Sequence, residues 1–202
     1  MSTSAFKRYT VDEYLAFERA SDIKHEFYDG EIFAMAGATE GHNLIVGNLV
    51  RRLGNALDGR PCRVYPSDMK VLCPSGLRAY PDVTVVCDEP RFESDRREVL
   101  LNPLVIIEVL SESTELYDRR DKFRNYWEID SLAAYVLVSH TGHRVEHYAR
   151  GPQARQWVLT TADGTQSTIA LPALGCSVPL QEIYAKVEFE LVERSNVREA
   201  PL

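Results

Sequence analysis

The stretch Pro103–Thr114 reads PLVIIEVLSEST and places one acid inside a strand-like run. Residues 104–110 are otherwise all apolar and mostly β-branched, a pattern that predicts a strand covered on both faces of a sheet. Glu108 lies within this run. Acidic side chains are almost never fully buried unless they are paired or bind a metal. The position of Glu108 therefore predicts a cleft or a cation at this strand, and we favour the cation.

The composition is that of an ordinary globular protein. The 202 residues are 45% hydrophobic and 26% charged, which is enough for one core of mixed elements. We expect a single domain over residues 1–202, with its core at about 8–187 and a short polar C-terminal tail. The formal net charge of −7 argues against a protein that coats nucleic acid by bulk electrostatics. A local basic patch remains compatible with it, although a solvated helix face is the simpler interpretation of Arg119, Arg120 and Arg124.

Apolar runs and cysteines indicate the compartment. The longest apolar runs are strand-sized, and the first ten residues contain no apolar signal core. We therefore expect a cytoplasmic protein with no membrane partner. The four cysteines form no CxxC pair and have no histidine at zinc-ligand spacing. In the cytoplasm we expect them to be reduced, buried thiols.

Local signals predict the order of the elements. Thr10 and Glu13 form a capping-box pattern at the start of a helix that ends near residue 19. Asp29 and Gly30, between alternating apolar flanks, predict a type I′ hairpin. Further helices are predicted at about 39–57, 116–128 and 180–186, strands at about 63–72, 83–87, 104–110, 133–138, 144–149 and 156–161, and loops at 88–102 and 162–180. This order predicts an α/β fold with a mixed sheet and helices on both faces.

A second acid stands at the start of the strand that precedes the Glu108 strand. Asp82, in Tyr80-Pro81-Asp82-Val83, is by itself an everyday turn residue. Glu108 follows 26 residues later, which is enough for a strand, a loop and a return, so both carboxylates reach one end of the sheet. Carboxylates held close together repel each other unless a cation lies between them. A hard divalent ion such as Mg²⁺ suits this pair, because it prefers carboxylate and carbonyl oxygens.

Three further side chains are candidates for the same site. The helix that follows the Glu108 strand carries Lys122, whose ammonium would hold an attacking water and offset charge on a phosphoryl transition state. An exposed lysine among arginines is the alternative. Tyr126, one turn further on, would support Lys122 by a hydrogen bond or would fill the core. His42, near the start of the second helix, either faces the site or is a satisfied helix-end histidine.

These residues carry a resemblance to a known family. Asp82, Glu108 and Lys122 in this setting resemble the PD-(D/E)xK nuclease superfamily, and the chain more specifically resembles its Uma2 family of restriction-endonuclease-like proteins. The matching stretches are YTVDEYLAF, HEFYDGEIFAMAG, GHN, YPDV, PLVIIEVLSEST, DRRDKFRNYW and AAYVLVS, over about residues 8–187. The resemblance implies a restriction endonuclease-like fold, with a mixed β-sheet core flanked by helices and additional β-hairpins.

The resemblance also implies roles for individual residues. Asp82 and Glu108 would bind Mg²⁺ or Mn²⁺, with the backbone carbonyl of Val109 as an additional ligand. Glu26 matches an early acidic position of the family and would bind the metal or a water attached to it. A hairpin residue that faces solvent is the alternative for Glu26.

The lysine is where this chain departs from the superfamily. The superfamily usually has its lysine two residues after the second acid, where this chain has Leu110. Lys122 is then the relocated lysine, and Asp82, Glu108 and Lys122 form the catalytic set.

The function that the resemblance implies is a divalent-metal-dependent endonuclease. It would hydrolyse phosphodiester bonds in DNA by a metal-activated water, and the resemblance also implies a homodimer. Two alternatives stay open. One is a non-catalytic module that binds nucleic acid or protein on the same fold, and the other is a hydrolase of another phosphorylated substrate.

Overall fold

The computed structural model describes residues 7–153 and 155–189. Two sheets and a separate hairpin contain its strands, which in chain order are β1 (His25–Tyr28), β2 (Glu31–Ala34), β3 (Cys62–Pro66), β4 (Lys70–Leu72), β5 (Arg78–Ala79), β6 (Val83–Cys87), β7 (Val99–Leu100), β8 (Val105–Val109), β9 (Ala134–Val138), β10 (Arg144–Arg150), β11 (Trp157–Asp163), β12 (Thr168–Leu171) and β13 (Cys176–Pro179).

The helices are α1 (Val11–Ala20), α2 (Glu40–Ala56), α3 and α4 (Leu180–Ile183). Helix α3 has three consecutive parts, which are Glu115–Tyr117, a π-helical turn Asp118–Lys122, and Phe123–Tyr126. A 3₁₀ turn, Pro172–Leu174, joins β12 to β13.

The larger sheet has the strand order β11-β10-β9-β8-β6-β3. Strands β8 and β9 are parallel, and every other neighbouring pair in this sheet is antiparallel. The smaller sheet has the order β2-β1-β5-β4-β7, and β12 and β13 form a two-stranded hairpin. The predicted mixed α/β architecture is confirmed.

The core has two parts, one on each face of β8. Ile107 packs on one face with residues of α2 such as Leu49 and Leu53. Ile106 packs on the other face with Val71 of the smaller sheet and Tyr126 of α3. The sequence pattern of a strand covered on both faces is therefore confirmed for β8, and Glu108 points to the same side as Ile106.

Both local signals at the N-terminal end produce the predicted geometry. The Thr10 side chain accepts a hydrogen bond from the Glu13 amide at 3.2 Å, and the Glu13 carboxylate accepts one from the Thr10 amide at 2.8 Å. Asp29 and Gly30 have φ angles of 47° and 80°. A type I′ turn requires positive φ at both central residues, so the hairpin prediction is confirmed.

Three segment predictions are wrong. The strand predicted at 63–72 is two strands, β3 in the larger sheet and β4 in the smaller one, because the chain turns at 67–69. The loop predicted at 162–180 contains the β12–β13 hairpin, where Ile169, Leu171 and Val178 are buried. The loop predicted at 88–102 contains the short strand β7. Most of the predicted polar tail, residues 190–202, lies outside the described residues.

The prediction of four reduced thiols is also wrong. Cys62 and Cys87 are directly opposite each other in the β3–β6 pair and form a disulfide. Cys73 and Cys176 are free. The 25-residue separation of the bonded pair does not reveal that two strands place their sulfur atoms side by side.

Within the described residues, no helix has the length and apolar character needed to cross a membrane.

Reduction of the Cys62–Cys87 disulfide should lower the free energy of unfolding by about 2–4 kcal/mol, because the cross-link restricts the unfolded chain. Denaturant unfolding with and without a reductant measures this, and the double variant Cys62→Ser/Cys87→Ser should not respond to the reductant. Thiol titration of the oxidised protein in denaturant should detect Cys73 and Cys176 alone. Four reactive thiols would contradict the disulfide.

Candidate active site

Asp82 and Glu108 meet at one end of the larger sheet. Asp82 immediately precedes β6, and the register pairs Val83 with Ile107 of β8. The Asp82 amide donates a hydrogen bond to Glu108 Oε2 at 3.3 Å, and the Val109 amide donates one to Asp82 Oδ2 at 2.7 Å. Glu108 is only 3% exposed. The predicted convergence of the two acids is therefore present.

Lys122 reaches the same point from α3. Lys122 Nζ lies 3.1 Å from Glu108 Oε1 and 3.0 Å from Glu26 Oε1. The Tyr126 hydroxyl donates a hydrogen bond to the same Glu108 Oε1 at 3.0 Å. Both Lys122 and Tyr126 are buried, so the alternative of an exposed lysine among arginines is wrong. Tyr126 both supports the site and belongs to the core.

Glu26 and His42 complete the set of predicted side chains. Glu26 is buried on β1 of the smaller sheet and bonds to Lys122, so the solvent-facing alternative is wrong. His42 Nε2 lies 3.0 Å from Asp82 Oδ1. Its amide also donates to the Thr39 hydroxyl that caps α2, at 3.3 Å. His42 therefore belongs to the site and to the start of the helix at once.

Two residues of the cluster were missed by the sequence interpretation. Asp118 is buried, and its Oδ1 lies 3.5 Å from Lys122 Nζ. Tyr117 donates a hydrogen bond to Glu26 Oε2 at 3.1 Å. The signal for Asp118 was its spacing, because Asp118, Lys122 and Tyr126 recur every four residues and so share one helical stripe. Tyr117 has no comparable signal.

Burial and mutual repulsion dominate the electrostatics of the acids. Burial raises the pKa of Glu108 well above its ordinary value. The Asp118, Asp82 and Glu26 charges raise it further, while Lys122 opposes them. Burial likewise raises the pKa of Asp118, against the Lys122 charge.

Burial and the neighbouring carboxylates have opposite effects on the pKa of Lys122. Burial alone would lower the pKa of Lys122, but the carboxylates of Glu108, Glu26 and Asp118 outweigh burial and hold that pKa well above its ordinary value. Lys122 is therefore an ammonium at neutral pH. Three carboxylates, those of Glu26, Glu108 and Asp118, lie within 3.5 Å of this ammonium, and Asp82 adjoins Glu108, so the cluster has an excess of acidic groups.

Whether the site suits a divalent cation depends on the side chains that could bind one and on their total charge. Within residues 7–153 and 155–189, no three Asp, Glu, His or Cys side chains are placed to hold a metal ion. Lys122 lies between Glu26 and Glu108, and His42 lies beside Asp82. The donor set nevertheless fits such an ion, because it consists of hard carboxylate oxygens and its buried negative charge exceeds that of one ammonium.

Comparison with known proteins assigns this chain to a family. The sequence profile of the Uma2 family, described as "Putative restriction endonuclease", matches residues 11–181. The chain belongs to the Uma2 family. The match spans α1 to α4 and so includes every side chain of the cluster.

Two relatives of this chain come from Synechocystis sp. and are named as uncharacterized proteins. One, sll1609, is 37% identical over 170 residues, which cover 84% of this chain and 96% of the relative. The other, slr1290, is 34% identical over 190 residues, which cover 93% of this chain and 97% of the relative.

A solved structure shares the fold. It is the crystal structure of a "putative nuclease belonging to DUF820" from Anabaena variabilis, which superposes with a TM-score of 0.69 over 87% of this chain and 97% of that chain. The sequence identity is 15%, so the likeness concerns the fold alone. The predicted restriction endonuclease-like fold class is confirmed.

Asp118→Asn should stabilise the metal-free protein at pH 8. The folded-state pKa of Asp118 is raised above its ordinary 3.8, so the folded protein binds a proton that the unfolded chain has already lost. The stability of the wild type therefore falls as the pH rises from the unfolded-state pKa of Asp118 through its higher folded-state pKa. Asparagine does not ionise, and the variant should gain on the order of 1 kcal/mol at pH 8, with the gain shrinking towards pH 4.

Urea unfolding in EDTA across this pH range measures the effect. Asp121→Asn is the control, because Asp121 is an exposed acid on the same helix. A variant Asp118→Asn that is less stable than the wild type at pH 8 would show that the Lys122 contact outweighs the repulsion.

Proposed function

We propose that this Uma2 protein is a divalent-metal-dependent endonuclease that hydrolyses phosphodiester bonds in DNA. One observation carries the proposal, which is the convergence of Asp82, Glu108 and the Lys122 ammonium in a buried cluster with excess acid. Membership of a nuclease-like family and the shared fold agree with it at a coarser level.

The residues that would hold Mg²⁺ or Mn²⁺ are Asp82 and Glu108, with the Val109 carbonyl and Glu26 as further ligands. The bound ion would act as a Lewis acid on the phosphoryl oxygens and would lower the pKa of a water. His42 contacts Asp82 Oδ1, and the Val109 amide contacts Oδ2, so both oxygens are oriented before a ligand arrives. This preorganisation lowers the cost of bringing hard oxygen ligands together.

Lys122 supplies the positive charge of the chain itself. Its ammonium has three protons to donate and remains protonated at neutral pH because of the surrounding carboxylates. It would orient the attacking water with one proton and offset the charge that develops on the phosphoryl group. Tyr126 donates to Glu108 Oε1, the oxygen that Lys122 also contacts, and so fixes the distance between the acid and the lysine.

A non-catalytic binding module is the second candidate. The observation that favours it is the engagement of Lys122 by three carboxylates at 3.0–3.5 Å, which partly neutralises the charge that a metal would otherwise neutralise. A module of this kind would use the same fold to bind nucleic acid or protein without cleavage.

Titration with Mn²⁺ tests the metal site directly. The wild type should show saturable binding by calorimetry, and Asp82→Asn should abolish it, because one of the two principal carboxylates is lost while the shape is kept. Asp121→Asn should bind as the wild type does, since its side chain is exposed and belongs to no part of the cluster. Unchanged binding by Asp82→Asn would remove Asp82 from the ligand set.

Lys122→Met should retain Mn²⁺ binding and lose cleavage of a plasmid by about 10²-fold or more, because one preorganised donor to the reacting group is removed. Lys70→Met is the control. Lys70 is also buried, and the carboxylates that act on its ammonium are those of Glu18 and Glu98, which are not part of the cluster.

The two candidate functions differ in what the wild type does. Binding of DNA without cleavage in Mg²⁺, Mn²⁺ or Co²⁺ would favour the binding module. Cleavage by Lys122→Met at the wild-type rate would contradict the catalytic role of the lysine.

A further inference from the structure

The β1–β2 hairpin presents two aromatic rings on the face that holds Glu26. Its register pairs Glu26 with Phe33 and Tyr28 with Glu31. Residues directly opposite in an antiparallel pair point to the same face, as do residues two apart in one strand. Tyr28 and Phe33 therefore share the face of Glu26. They are 40% and 47% exposed, which is a large fraction for aromatic side chains.

Helix α3 adds a third ring beside this face. The Tyr117 hydroxyl donates to Glu26, and the ring centre lies 5.6 Å from Lys122 Nζ. Tyr117 is 36% exposed. We call Tyr28, Phe33 and Tyr117 the aromatic rim. Since Glu26 contacts Lys122 and Tyr117 directly, the rim is continuous with the acidic cluster.

The same helix exposes two arginines, Arg120 and Arg124, that pair with no acid among the described residues. Arg119 is held by Glu115 and Glu146, at 2.8 and 2.6 Å. Arg120 and Arg124 are exposed, and within the part of the chain that the structure describes neither lies within ion-pair distance of a carboxylate. They are four residues apart, so they are neighbours on one side of the helix. Their charges are available to an anion.

We propose that the aromatic rim stacks on the unpaired bases of a single-stranded nucleic acid, and that Arg120 and Arg124 contact its phosphates. The inference rests on the proposed nuclease function and narrows its substrate to single-stranded or locally unpaired nucleic acid. Aromatic side chains that stack on bases contribute about 1–3 kcal/mol per base, without sequence preference. A base inside an intact duplex has no free face for such a ring.

The net charge of the protein also favours a single strand over a duplex as the ligand. A protein with a net charge of −7 gains little from the bulk electrostatic attraction on which duplex binding depends. Exposed rings next to two free arginines provide another source of affinity, in which stacking supplements a small number of phosphate contacts. The Tyr117 hydroxyl reaches Glu26 of the cluster, and Arg120 is three residues from Tyr117 on the same helix, so a strand stacked on the rim would lie beside the cluster.

Binding in EDTA separates recognition from cleavage. Fluorescence anisotropy with a labelled 15-mer of dT, and with a duplex of the same length, should show tighter binding of the single strand by the wild type. Phe33→Leu keeps the apolar bulk and removes the flat ring. It should weaken single-strand binding about 5- to 150-fold and leave duplex binding unchanged. Val158→Ala is the control, because Val158 is 46% exposed on the outer strand β11.

The arginine contacts are tested by the salt dependence of the same binding. Arg120→Gln/Arg124→Gln should reduce the slope of log affinity against log salt by about 1.4, since each phosphate contact on a single strand contributes about 0.7. Arg51→Gln, at an exposed position nine residues beyond His42 on α2, should leave the slope unchanged.

Specific results would overturn the inference. Equal affinity of the wild type for the single strand and the duplex would do so, as would Phe33→Leu with wild-type single-strand affinity. A shift of oligomeric state on Phe33→Leu, seen by light scattering, would assign the rim to a second copy of the chain instead.

The outcomes also distinguish the rim from the nuclease. If Phe33→Leu weakens single-strand binding while no divalent ion supports cleavage, the rim stands and the nuclease proposal fails. If the wild type cleaves while Phe33→Leu binds the single strand normally, the nuclease stands and the rim fails.

Discussion

The ammonium of Lys122 is the interaction on which the arrangement of this protein depends. It contacts Glu108 from the larger sheet, Glu26 from the smaller sheet and Asp118 from its own helix. The larger sheet, the smaller sheet and helix α3 thus meet at one buried charge. An uncompensated buried carboxylate costs several kcal/mol, so the lysine offsets much of the cost of holding these acids close together. The same charge that joins the two sheets at this point is the one proposed to act on the substrate.

The acidic excess explains why this region is costly for stability. Burial and neighbouring carboxylates raise the pKa of Glu108, so the protein keeps a group whose ionised form is disfavoured. A purely structural ion pair would not require several carboxylates around Lys122, since one carboxylate is enough to neutralise one ammonium. Natural proteins retain such local conflicts where function requires a preorganised charge, and the cost is met by the apolar packing of β8 and its neighbours.

Local patterns made much of the fold predictable. The apolar run around Glu108 predicted a doubly covered strand, and Asp29-Gly30 predicted a hairpin, because each depends on backbone geometry within a few residues. The division of 63–72 between two sheets was not predictable in this way. It is decided by long-range pairing with β6 and β5, and short apolar segments do not encode their partners. The β12–β13 hairpin was missed for a related reason, since Pro172 and Gly175 interrupt its alternation.

The site was predictable where the residue type was anomalous for its surroundings. Glu108 among apolar residues and Asp82 at a strand start both indicated a shared centre, the helix that follows β8 added Lys122, and the family resemblance added Glu26. Tyr117 and Asp118 were missed because a tyrosine or an acid on a charged helix is unremarkable until its contacts are known. The residues that needed three-dimensional information are therefore those whose role comes only from their neighbours.

The disulfide at the far end of β6 has a consequence for how this centre assembles. Strand register in an antiparallel pair is a choice between alternatives, and a slip of one residue turns every side chain to the opposite face. The Cys62–Cys87 bond joins opposed residues, so it removes the slipped alternatives of the β3–β6 pair. Five residues earlier on the same segment stands Asp82. The disulfide lies at the opposite end of β6 from Asp82. By fixing the register of this strand, it also fixes the face of the sheet on which Asp82 emerges.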